Sequence, residues 1–592
     1  MCGICGEFRF DGAPVDRTLL EKMTEKLANR GPDDQGVFLD ANVGFGHRRL
    51  SVIDLSTHSH QPMIDPDLDL ALVFNGAIYN YQELRKELQQ KGYRFYSEGD
   101  TEVILKAYHC WGDECPKHLH GMFAFVIWDK SKQILFMARD RFGIKPLYFS
   151  QTNHSFSFAS TPQALLVSSE VDRSIDPISL HFQYSLHAVI PAPGTILKGI
   201  RKLEPGHFAK VDVSGKSTSI KYWELDATRG SESLSEQEWV EAVQESLKEA
   251  VRKRNDVADV PVGVLLSGGL DSSLLVALLA ELGSNDLHTF SVGFEDQPEE
   301  KGSEFEFSDL VVDRYQPNHH KFLVPNNQVL QRMPEAVDAM SEPMFGQDAV
   351  AFYLLSEQVS KNIKVVQSGQ GADEVFGGYF WYQRMMDETA GELVDRFRKH
   401  YFDRDHPEFL RMVGAQFKTT EDVTRNYVSQ RLKESGADEF IDAILRFDVT
   451  TLVVDDPVKR VDNMTMAWGL EARVPFLDHE LVELVARCPP EIKFQTSGKH
   501  LLKRIARGII PDEVIDRPKG YFPMPALKYV RGEFLEFMQD ILHSKACRER
   551  GVFDRLYIEQ LMAAPDMYLT RIQGSKLWHL ALFEYWMQRV VD

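Results

Sequence analysis

The sequence predicts two domains of different fold class: an α+β domain with stacked sheets, then an α/β domain with a parallel sheet and a helical C-terminal part. Residues 1 to about 210 are rich in short β runs separated by turn signals. From about residue 236, strands and helices alternate, which is typical of a parallel sheet covered on both faces. We therefore place the domains at 2–210 and 236–592, with a polar linker at 211–235.

The individual elements follow from hydrophobic periodicity, which repeats every two residues in strands and every 3.6 in helices. In the first half, the predicted strands are 2–10, 43–50, 70–75, 123–129, 134–139 and 155–159, and the predicted helices are 19–27, 81–90 and 101–111. In the second half, the predicted strands are 262–266, 289–292 and 364–367, and the predicted helices are 239–252 and 272–282. From about Gly377 onward the pattern is mostly helical.

Composition and charge narrow the class of protein. The chain has 592 residues and a net charge of −21, so its surface repels nucleic acid and anionic membranes at long range. The N-terminus has no basic region followed by an apolar run, so we expect a cytoplasmic protein. Six cysteines are too few for a disulfide scaffold. Cys2 and Cys5 have the spacing of half a zinc motif, but no second pair follows, which disfavours a zinc site.

Cys2 is the first candidate nucleophile. If Met1 is removed, this residue carries both a thiol and a free α-amino group, whose ordinary pKa of about 7.7–8.0 makes it a base near neutral pH. The thiolate is the attacking species. One residue can therefore supply the nucleophile and its base. Taken alone, an incidental early cysteine is the more common explanation.

Three further segments of the first half carry suitable partners. Arg49 follows a predicted strand and could bind a carboxylate through two hydrogen bonds. Asn75 and Gly76, which we expect on a strand-to-helix turn, could donate to an oxyanion. Asp100 could hold an ammonium group. Each also has a simpler explanation: a surface ion pair for Arg49, a turn glycine for Gly76 and a helix cap for Asp100.

The second half contains a candidate phosphate site at 265–273, LLSGGLDSS, between a buried strand and a helix. Glycines allow close approach of the backbone to phosphate oxygens, and the helix N-terminus offers unpaired N–H groups. Asp271 would repel phosphate unless a cation were bound, so Mg²⁺ is expected. The Walker pattern GxxxxGK[ST] is absent.

The combination resembles a known family. CGI at the N-terminus, RGPD, HRRLSVIDL, FNGAIYN, GDTEVIL, GMFAF and ARDRFGIKPLY are similar to the class II glutamine amidotransferase domain, an N-terminal nucleophile hydrolase with an αββα sandwich. GVLLSGGLDSS, FSVGF, SGQGADEVFGGY and WGLEARVPFLD resemble the ATP-pyrophosphatase domain of glutamine-hydrolysing asparagine synthetases. The resemblance covers roughly residues 2–590 and implies glutamine-dependent, AMP-forming amide synthesis, with ATP and Mg²⁺ as cofactors.

The resemblance also implies residue roles. In the first domain it implies a nucleophile at Cys2, oxyanion donors at Asn75 and Gly76, and glutamine contacts at Arg49, Leu50, Ser51, Asn75, Gly76, Ala77 and Asp100. In the second it implies nucleotide contacts at Leu265, Ser267, Gly268, Gly269, Asp271, Ser272, Val292, Ser368 and Gly369. It further implies Mg²⁺ ligands at Asp271 and Asp373, and catalytic roles for Lys499 and Gln370.

Two positions depart from the family pattern. Ala77 stands where these synthetases usually carry a glutamate that helps hold the glutamine ammonium group, so glutamine would bind more weakly or through a different partner. Gln370 stands where a glutamate or aspartate is common, and glutamine cannot act as a base. Both departures argue against a standard asparagine synthetase.

The identity of the amide acceptor therefore stays open between two candidates. Aspartate is the family default, whereas one branch of the family amidates N-acetylglutaminylglutamine, and FNGAIYN, SGQGADEVFGGY and residues 380–382 are closer to that branch. A hydrolase that uses only the Cys2 domain, and a non-catalytic relative, are the other hypotheses. The intact SGGLDSS loop disfavours both. The family architecture also makes a homodimer the expected assembly.

Overall fold

A computed structural model describes residues 2–230, 234–283, 286–296, 301–495, 498–517 and 525–592. Within these ranges, 17 strands form three sheets, two in the first domain and one in the second.

The first domain contains two antiparallel sheets that pack face to face. In spatial order, the first sheet consists of β10 (Arg201–Lys202), β8 (Tyr148–Gln151), β9 (Ser155–Ala159), β1 (Gly3–Arg9), β3 (Val43–Arg49) and β2 (Asp34–Asp40). The second consists of β12 (Ser217–Lys221), β11 (His207–Asp212), β7 (Ile134–Arg139), β6 (Gly121–Asp129), β5 (Leu70–Ile78) and β4 (Met63–Asp65). Phe8 and Phe45 from one sheet and Val73 and Val126 from the other share one buried core, because alternate side chains of each strand point inward.

Helices cover the outer faces of the two sheets. On the first sheet they are α1 (Arg17–Glu25) and α5 (Pro162–Leu165); on the second, α3 (Asp100–Trp111) lies on the strands, with α2 (Tyr81–Gln90) and α4 (Cys115–His118) packed against it. The last helix of this domain, α6 (Pro177–Ser185), packs against helices of the second domain. Leu84, Leu88 and Ile104 belong to the same hydrophobic cluster as Phe74 of β5. The arrangement of helices and two sheets is the αββα sandwich of N-terminal nucleophile hydrolases.

The third sheet is parallel, and it forms the centre of the second domain. In spatial order its strands are β15 (Asn318–Val324), β14 (His288–Phe294), β13 (Val262–Leu265), β16 (Val365–Gln367) and β17 (Glu471–Arg473). Both faces are buried: Val264 packs in the cluster that includes Leu275, and its neighbour Leu265 packs in the cluster that includes Phe352. This double burial explains why the strand reads as a short apolar run rather than an alternating one.

The remaining helices surround and extend this sheet. Those up to residue 376 are α7 (Glu236–Asp256), α8 (Leu270–Glu281), α9 (Phe305–Tyr315), α10 (Asn326–Asp338), α11 (Asp348–Ser360) and α12 (Ala372–Phe376). The C-terminal part contains α13 (Phe380–Asp387), α14 (Leu393–Tyr401), α15 (His406–Met412), α16 (Val423–Leu432), α17 (Phe440–Phe447), α18 (Lys459–Met466), α19 (His479–Ala486), α20 (Pro490–Lys493), α21 (His500–Ala506), α22 (Asp512–Asp516), α23 (Pro525–Lys528), α24 (Gly532–Leu542), α25 (Lys545–Arg550), α26 (Arg555–Ala563) and α27 (Lys576–Trp586). Across the part of the chain that the structure describes, none of the helices is long and apolar enough to span a bilayer.

Most of the predicted elements are confirmed within two or three residues, but three expectations need correction. The segment that starts at Asn75 is not a strand-to-helix turn, because β5 continues to Ile78. The segment 211–235, which we expected to be a linker, contains the end of β11 and all of β12; residues 231–233 lie outside the described ranges. The mostly helical C-terminal part also supplies β17, whose three residues are too few to show a period.

Candidate active sites

Cys2 lies directly before β1 and is buried, at 7% exposure. Its backbone N–H donates to Oδ1 of Asn75 at 3.0 Å, and its carbonyl oxygen accepts a hydrogen bond from Nε of Arg30 at 3.3 Å. Burial raises the pKa of the Cys2 thiol, and Arg49 opposes this by stabilising the thiolate. The nucleophile candidate is therefore held by its backbone, and its thiol needs a nearby base to ionise.

Asn75 and Gly76 lie side by side in the middle of β5, opposite Ala124 and Phe123 of β6. The side chain of Asn75 is fully buried, and its Nδ2 has no hydrogen-bond partner among the described residues. A buried amide group without a partner is costly and asks for an explanation. Because Oδ1 already accepts from the N–H of Cys2, Nδ2 remains able to donate to an acceptor beside the thiol, such as the oxyanion of a substrate.

Arg49 is the last residue of β3, and its guanidinium is fixed by backbone carbonyls. Nη1 donates to the carbonyl oxygen of Ser56 at 2.9 Å, and Nη2 donates to that of Asp54. Next to it, Leu50 is buried, and the N–H of Ser51 donates to Oδ2 of Asp33 at 2.7 Å. This arrangement holds a cation beside Cys2 without a competing carboxylate on its guanidinium in the described structure.

Asp100 is the first residue of α3, one position after the cap at Gly99, so it is not the helix cap. Its Oδ2 accepts a hydrogen bond from the N–H of Ile78 at 3.0 Å. Burial raises the pKa of Asp100 to about 7, and the field of Glu471 acts in the same direction. Ala77, which precedes Ile78 on β5, is fully buried. At neutral pH, Asp100 is therefore poised between its charged and neutral forms.

Glu471 is a residue that sequence reasoning missed. It is buried on β17 of the second domain, and its Oε1 accepts a hydrogen bond from Nε of Arg473 at 2.6 Å. Its negative charge nevertheless raises the pKa values of Cys2 and Asp100 in the first domain. The sequence feature that could have indicated a functional role for Glu471 is the pair of charged residues in LEARVP, whose other residues are typical of a buried segment.

A second contact between the domains involves Arg30, the residue that donates to the carbonyl oxygen of Cys2. Oδ2 of Asp462, on α18, lies 3.0 Å from Nη1 of Arg30, and its Oδ1 lies 2.9 Å from Nζ of Lys145. All three side chains are at most 6% exposed. Burial alone would raise the pKa of Asp462, but the two cations hold it below the usual range. The residue that holds the Cys2 carbonyl is thus itself anchored to the synthetase domain.

The candidate phosphate loop connects β13 to α8 as the sequence predicted. Gly268 has a φ of +74°, which favours glycine, and Gly269 precedes the first helical residue. Oγ of Ser272 accepts a hydrogen bond from the N–H of Ser267 at 3.2 Å, which closes the loop on itself. The loop therefore presents the N-terminus of a 12-residue helix to the cavity beside it.

Lys499 bridges two carboxylates from separate segments. Its Nζ lies 2.5 Å from Oδ2 of Asp271, on α8, and 2.8 Å from Oδ1 of Asp373, on α12. Burial alone would lower the pKa of Lys499, but the two aspartates raise it above its usual range. The backbone of Lys499 has a φ of +54°, an uncommon conformation for a non-glycine residue that clusters at functional sites. The ammonium of Lys499 therefore stays charged and lies between the two aspartates.

These groups line a cavity of about 530 Å³ at the carboxyl ends of the parallel strands, where ligands bind in such sheets. Every residue of the second-domain prediction except Gly268 lines it; they are Leu265, Ser267, Gly269, Asp271, Ser272, Val292, Ser368, Gly369, Gln370, Asp373 and Lys499. The residues that the prediction missed include Glu304, Asp348, Arg460 and Arg517. These lie on segments with no motif, so only the tertiary structure identifies them.

Comparison with known proteins matches both halves. The family model for the glutamine amidotransferase domain matches residues 1–223, and that for asparagine synthase matches residues 242–588. Asparagine synthetase [glutamine-hydrolyzing] 1 of Bacillus subtilis (strain 168) is 32% identical over 99% of this chain and 96% of its own. Asparagine synthetase [glutamine-hydrolyzing] 3 of the same organism is 31% identical, over 95% of this chain and 93% of its own. Amidase chry2 of Gibberella zeae is 27% identical over 90% of this chain and 89% of its own.

The fold and the two sites define a glutamine-dependent carbon–nitrogen ligase with an N-terminal nucleophile hydrolase domain and an ATP-binding synthetase domain. More narrowly, the chain belongs to the glutamine-hydrolysing asparagine synthetase family.

Proposed function

We propose that the protein hydrolyses glutamine at Cys2 and uses the ammonia in the second domain to convert an AMP-activated carboxylate into an amide. The observation that supports this proposal is the presence of two candidate sites in one chain. The first is the Asn75 amide beside Cys2, and the second is Lys499 beside the phosphate loop. A glutaminase alone would not need the second.

In the first site, the Cys2 thiolate attacks the side-chain amide carbon of glutamine. Nδ2 of Asn75 and the N–H of Gly76 stabilise the oxyanion, and the α-amino group exposed by loss of Met1 takes the thiol proton. Arg49 binds the α-carboxylate of glutamine, with the neighbouring Leu50 and Ser51 forming the wall of the site. Asp100 holds its ammonium group. Ammonia leaves, and water then releases glutamate from the thioester.

In the second site, an oxygen of the acceptor carboxylate attacks the α-phosphorus of ATP. The bond between the α-phosphorus and the bridging oxygen breaks, and pyrophosphate leaves with the electron pair. Lys499 offsets the negative charge that grows during this step. Ammonia then attacks the acyl carbon and AMP leaves. The activation is required because a free carboxylate is a poor electrophile.

The same site fits Mg²⁺. Asp271 and Asp373 contact one ammonium from two sides, so their oxygen atoms face a small shared space, and carboxylate oxygens are the ligands that Mg²⁺ prefers. Mg²⁺ held by these two residues would offset the charge of the nucleotide phosphates. Leu265, Val292, Ser368 and Gly369 would surround the nucleoside, and Ser267, Gly268, Gly269 and Ser272 the phosphates.

For the acceptor we propose N-acetylglutaminylglutamine, with aspartate as the second candidate. Ala77 and Gln370 depart from the asparagine synthetase pattern at both sites, and the strings around them favour the dipeptide branch. Tyr379, on the cavity wall, stacks on Trp381 with ring centroids 4.1 Å apart. Such an aromatic wall suits an amide-rich acceptor. The names of the relatives favour aspartate.

One assay tests both parts of the proposal. The purified protein is given ATP, Mg²⁺ and glutamine with either the dipeptide or aspartate, and AMP, pyrophosphate and glutamate are quantified. We expect AMP and pyrophosphate in equal amounts, and faster turnover with the dipeptide. ADP in place of AMP, or Met1 retained in the active protein by mass spectrometry, contradicts the mechanism. Equal and strong turnover of aspartate overturns the choice of acceptor. We also propose a homodimer, which light scattering of the same sample tests.

A further inference from the structure

Arg517 lies at the phosphate loop although no motif includes it. It follows α22 and lines the same cavity as the loop. A Cβ built on Gly269 would lie only 3.6 Å from its Nη2. The guanidinium also stacks over the ring of Phe307, 4.5 Å from the ring centroid, with a side-chain exposure of 9%. A partly buried cation is thus fixed beside the backbone that would cradle phosphate.

Glu304 is the charged partner of this cation. Its Oε2 lies 3.0 Å from Nη2 of Arg517, and it also lines the cavity. Burial raises the pKa of Glu304, and Arg517 opposes the shift. The pair is partly buried and adds little net stability to the fold, so its position on the cavity wall is better explained by a ligand.

The packing of the loop keeps this pair in place. A Cβ on Gly268 would lie 2.7 Å from the backbone nitrogen of Ser308 and 3.0 Å from Cβ of Phe307, so the loop rests directly on the first turn of α9. Glu304 immediately precedes that helix. The loop, Glu304 and Arg517 therefore form one unit, separate from the Lys499 bridge between Asp271 and Asp373.

We propose that Arg517 is the second cation of the adenylation step. It is paired with Glu304 before ATP binds. When ATP is bound, its guanidinium pairs instead with the two phosphates that leave as pyrophosphate. This rests on the AMP-forming function proposed above. When the α-phosphorus–oxygen bond breaks, the departing pyrophosphate gains one negative charge on the former bridging oxygen. A planar guanidinium can bind two phosphate oxygens at once. Lys499 serves the acyl-phosphate side, and Arg517 serves the leaving group.

The first test compares Arg517→Met with Arg517→Lys, using ammonia as the nitrogen donor and pyrophosphate release as the readout. Loss of one donor that is directed at transition-state charge typically lowers kcat by about 10²–10³-fold. We expect a loss of this size for Met and a smaller loss for Lys, which keeps the charge but not the two-oxygen geometry. Glutamine hydrolysis at Cys2 should stay at the wild-type rate, which shows that the variants are folded.

The second test uses Glu304→Gln, which predicts a change that misfolding cannot mimic. If Glu304 competes with ATP for Arg517, its neutralisation should lower the KM for ATP several-fold without raising that for glutamine. The matched control is Arg314→Met, which removes an exposed arginine of α9 whose Nη2 donates to the carbonyl of Gly508. It should leave both half-reactions unchanged.

The outcomes separate the two proposals. If the wild-type protein forms no AMP from ATP, the proposed function fails and the role of Arg517 fails with it. If the wild type forms AMP and pyrophosphate, but Arg517→Met keeps the wild-type kcat and Glu304→Gln keeps the wild-type KM for ATP, only the role of Arg517 is overturned. A reduced kcat in Arg517→Met together with a lowered KM in Glu304→Gln supports it.

Discussion

The two sites differ in how their polar groups are held before substrate arrives. In the first domain, Cys2, Arg49 and Asp100 all bond to backbone or amide groups of neighbouring strands and loops. In the second, Lys499 pairs with Asp271 and Asp373 across a cavity, so the charged groups satisfy one another.

This difference indicates two ways of preparing a site. The polar groups of the first site are bonded to backbone and amide groups before any substrate is present, so the fold preorganises this site. Under the proposed function, the charged groups of the second site would exchange partners when ATP and Mg²⁺ bind. We therefore expect variants in the first site to change glutamine binding or hydrolysis and leave nucleotide binding intact, and variants in the second to change both nucleotide binding and AMP formation.

The largest expected effect separates the two sites entirely. Cys2→Ala removes the nucleophile, so glutamine hydrolysis should fall by about 10⁴-fold or more. Synthesis with added ammonia should continue at the wild-type rate, because the second site does not use the thiol. The measurement is glutamate release beside pyrophosphate release, each with glutamine or with ammonium salt.

Cys5→Ala is the matched control for this prediction. Cys5 is also buried, on β1, but its Sγ contacts Oγ1 of Thr24 instead of the site. It should keep glutaminase activity. Loss of both half-reactions in Cys2→Ala, with Cys5→Ala intact, would mean that the sites are not independent.

Lys499→Met tests the self-neutralised site. The substitution removes the ammonium that lies between Asp271 and Asp373, and with it a donor that would stabilise the transition state. We expect AMP formation to fall by about 10²–10³-fold and the KM for ATP to rise, with glutamine hydrolysis unchanged. Lys399→Met, at an exposed position on α14, is the control. A kcat within twofold of the wild type would remove Lys499 from the mechanism.

The sequence predicted what depends on local pattern. Strand and helix periodicity, the glycine-rich loop and the family strings located both domains, and they predicted site residues that the structure brings together, as Ser267 and Lys499 on the wall of one cavity illustrate. It failed where the outcome depends on tertiary contacts. Strand β17 has only three residues, too few to show an alternating pattern in the sequence. It nevertheless places Glu471 close enough to Cys2 for its negative charge to raise the pKa of the thiol. Arg517 and Glu304 meet across 213 residues.

The contact between the domains should be the next most sensitive feature. Asp462→Asn would leave Arg30 and Lys145 as buried cations without a counter-charge, which costs about 3–5 kcal/mol. The pKa of Asp462 is lowered, so its contribution is present above the ordinary aspartate pKa and lost as pH falls through the folded value. At pH 7 we therefore expect a lower urea midpoint and slower glutamine hydrolysis, since Arg30 also holds the Cys2 carbonyl.

Asp309→Asn is the control for that measurement. Asp309 pairs with Lys321 at the surface, where such pairs contribute about 0–1 kcal/mol. An equal change in the urea midpoint of the two variants would show that the buried contact between the domains contributes no more stability than a surface ion pair.

The smallest expected effect is a pH dependence that only the preorganised site should show. Because burial raises the pKa of Asp100 to about 7, the wild-type KM for glutamine should rise as pH falls below 7, approaching about tenfold per pH unit, as the carboxylate that holds the ammonium is lost. Asp100→Asn should have a higher KM for glutamine that does not depend on pH in this range.

The effect of Asp100 on the stability of the fold has the opposite sense. The raised pKa contributes stability that is complete below the ordinary aspartate pKa and is lost as pH rises through 7, so Asp100→Asn should gain thermal stability relative to wild type between pH 4 and pH 8. Asp113→Asn, at an exposed pair with Lys210, should show neither effect, and a wild-type KM that is flat from pH 6 to pH 8 would show that Asp100 does not bind the ammonium group.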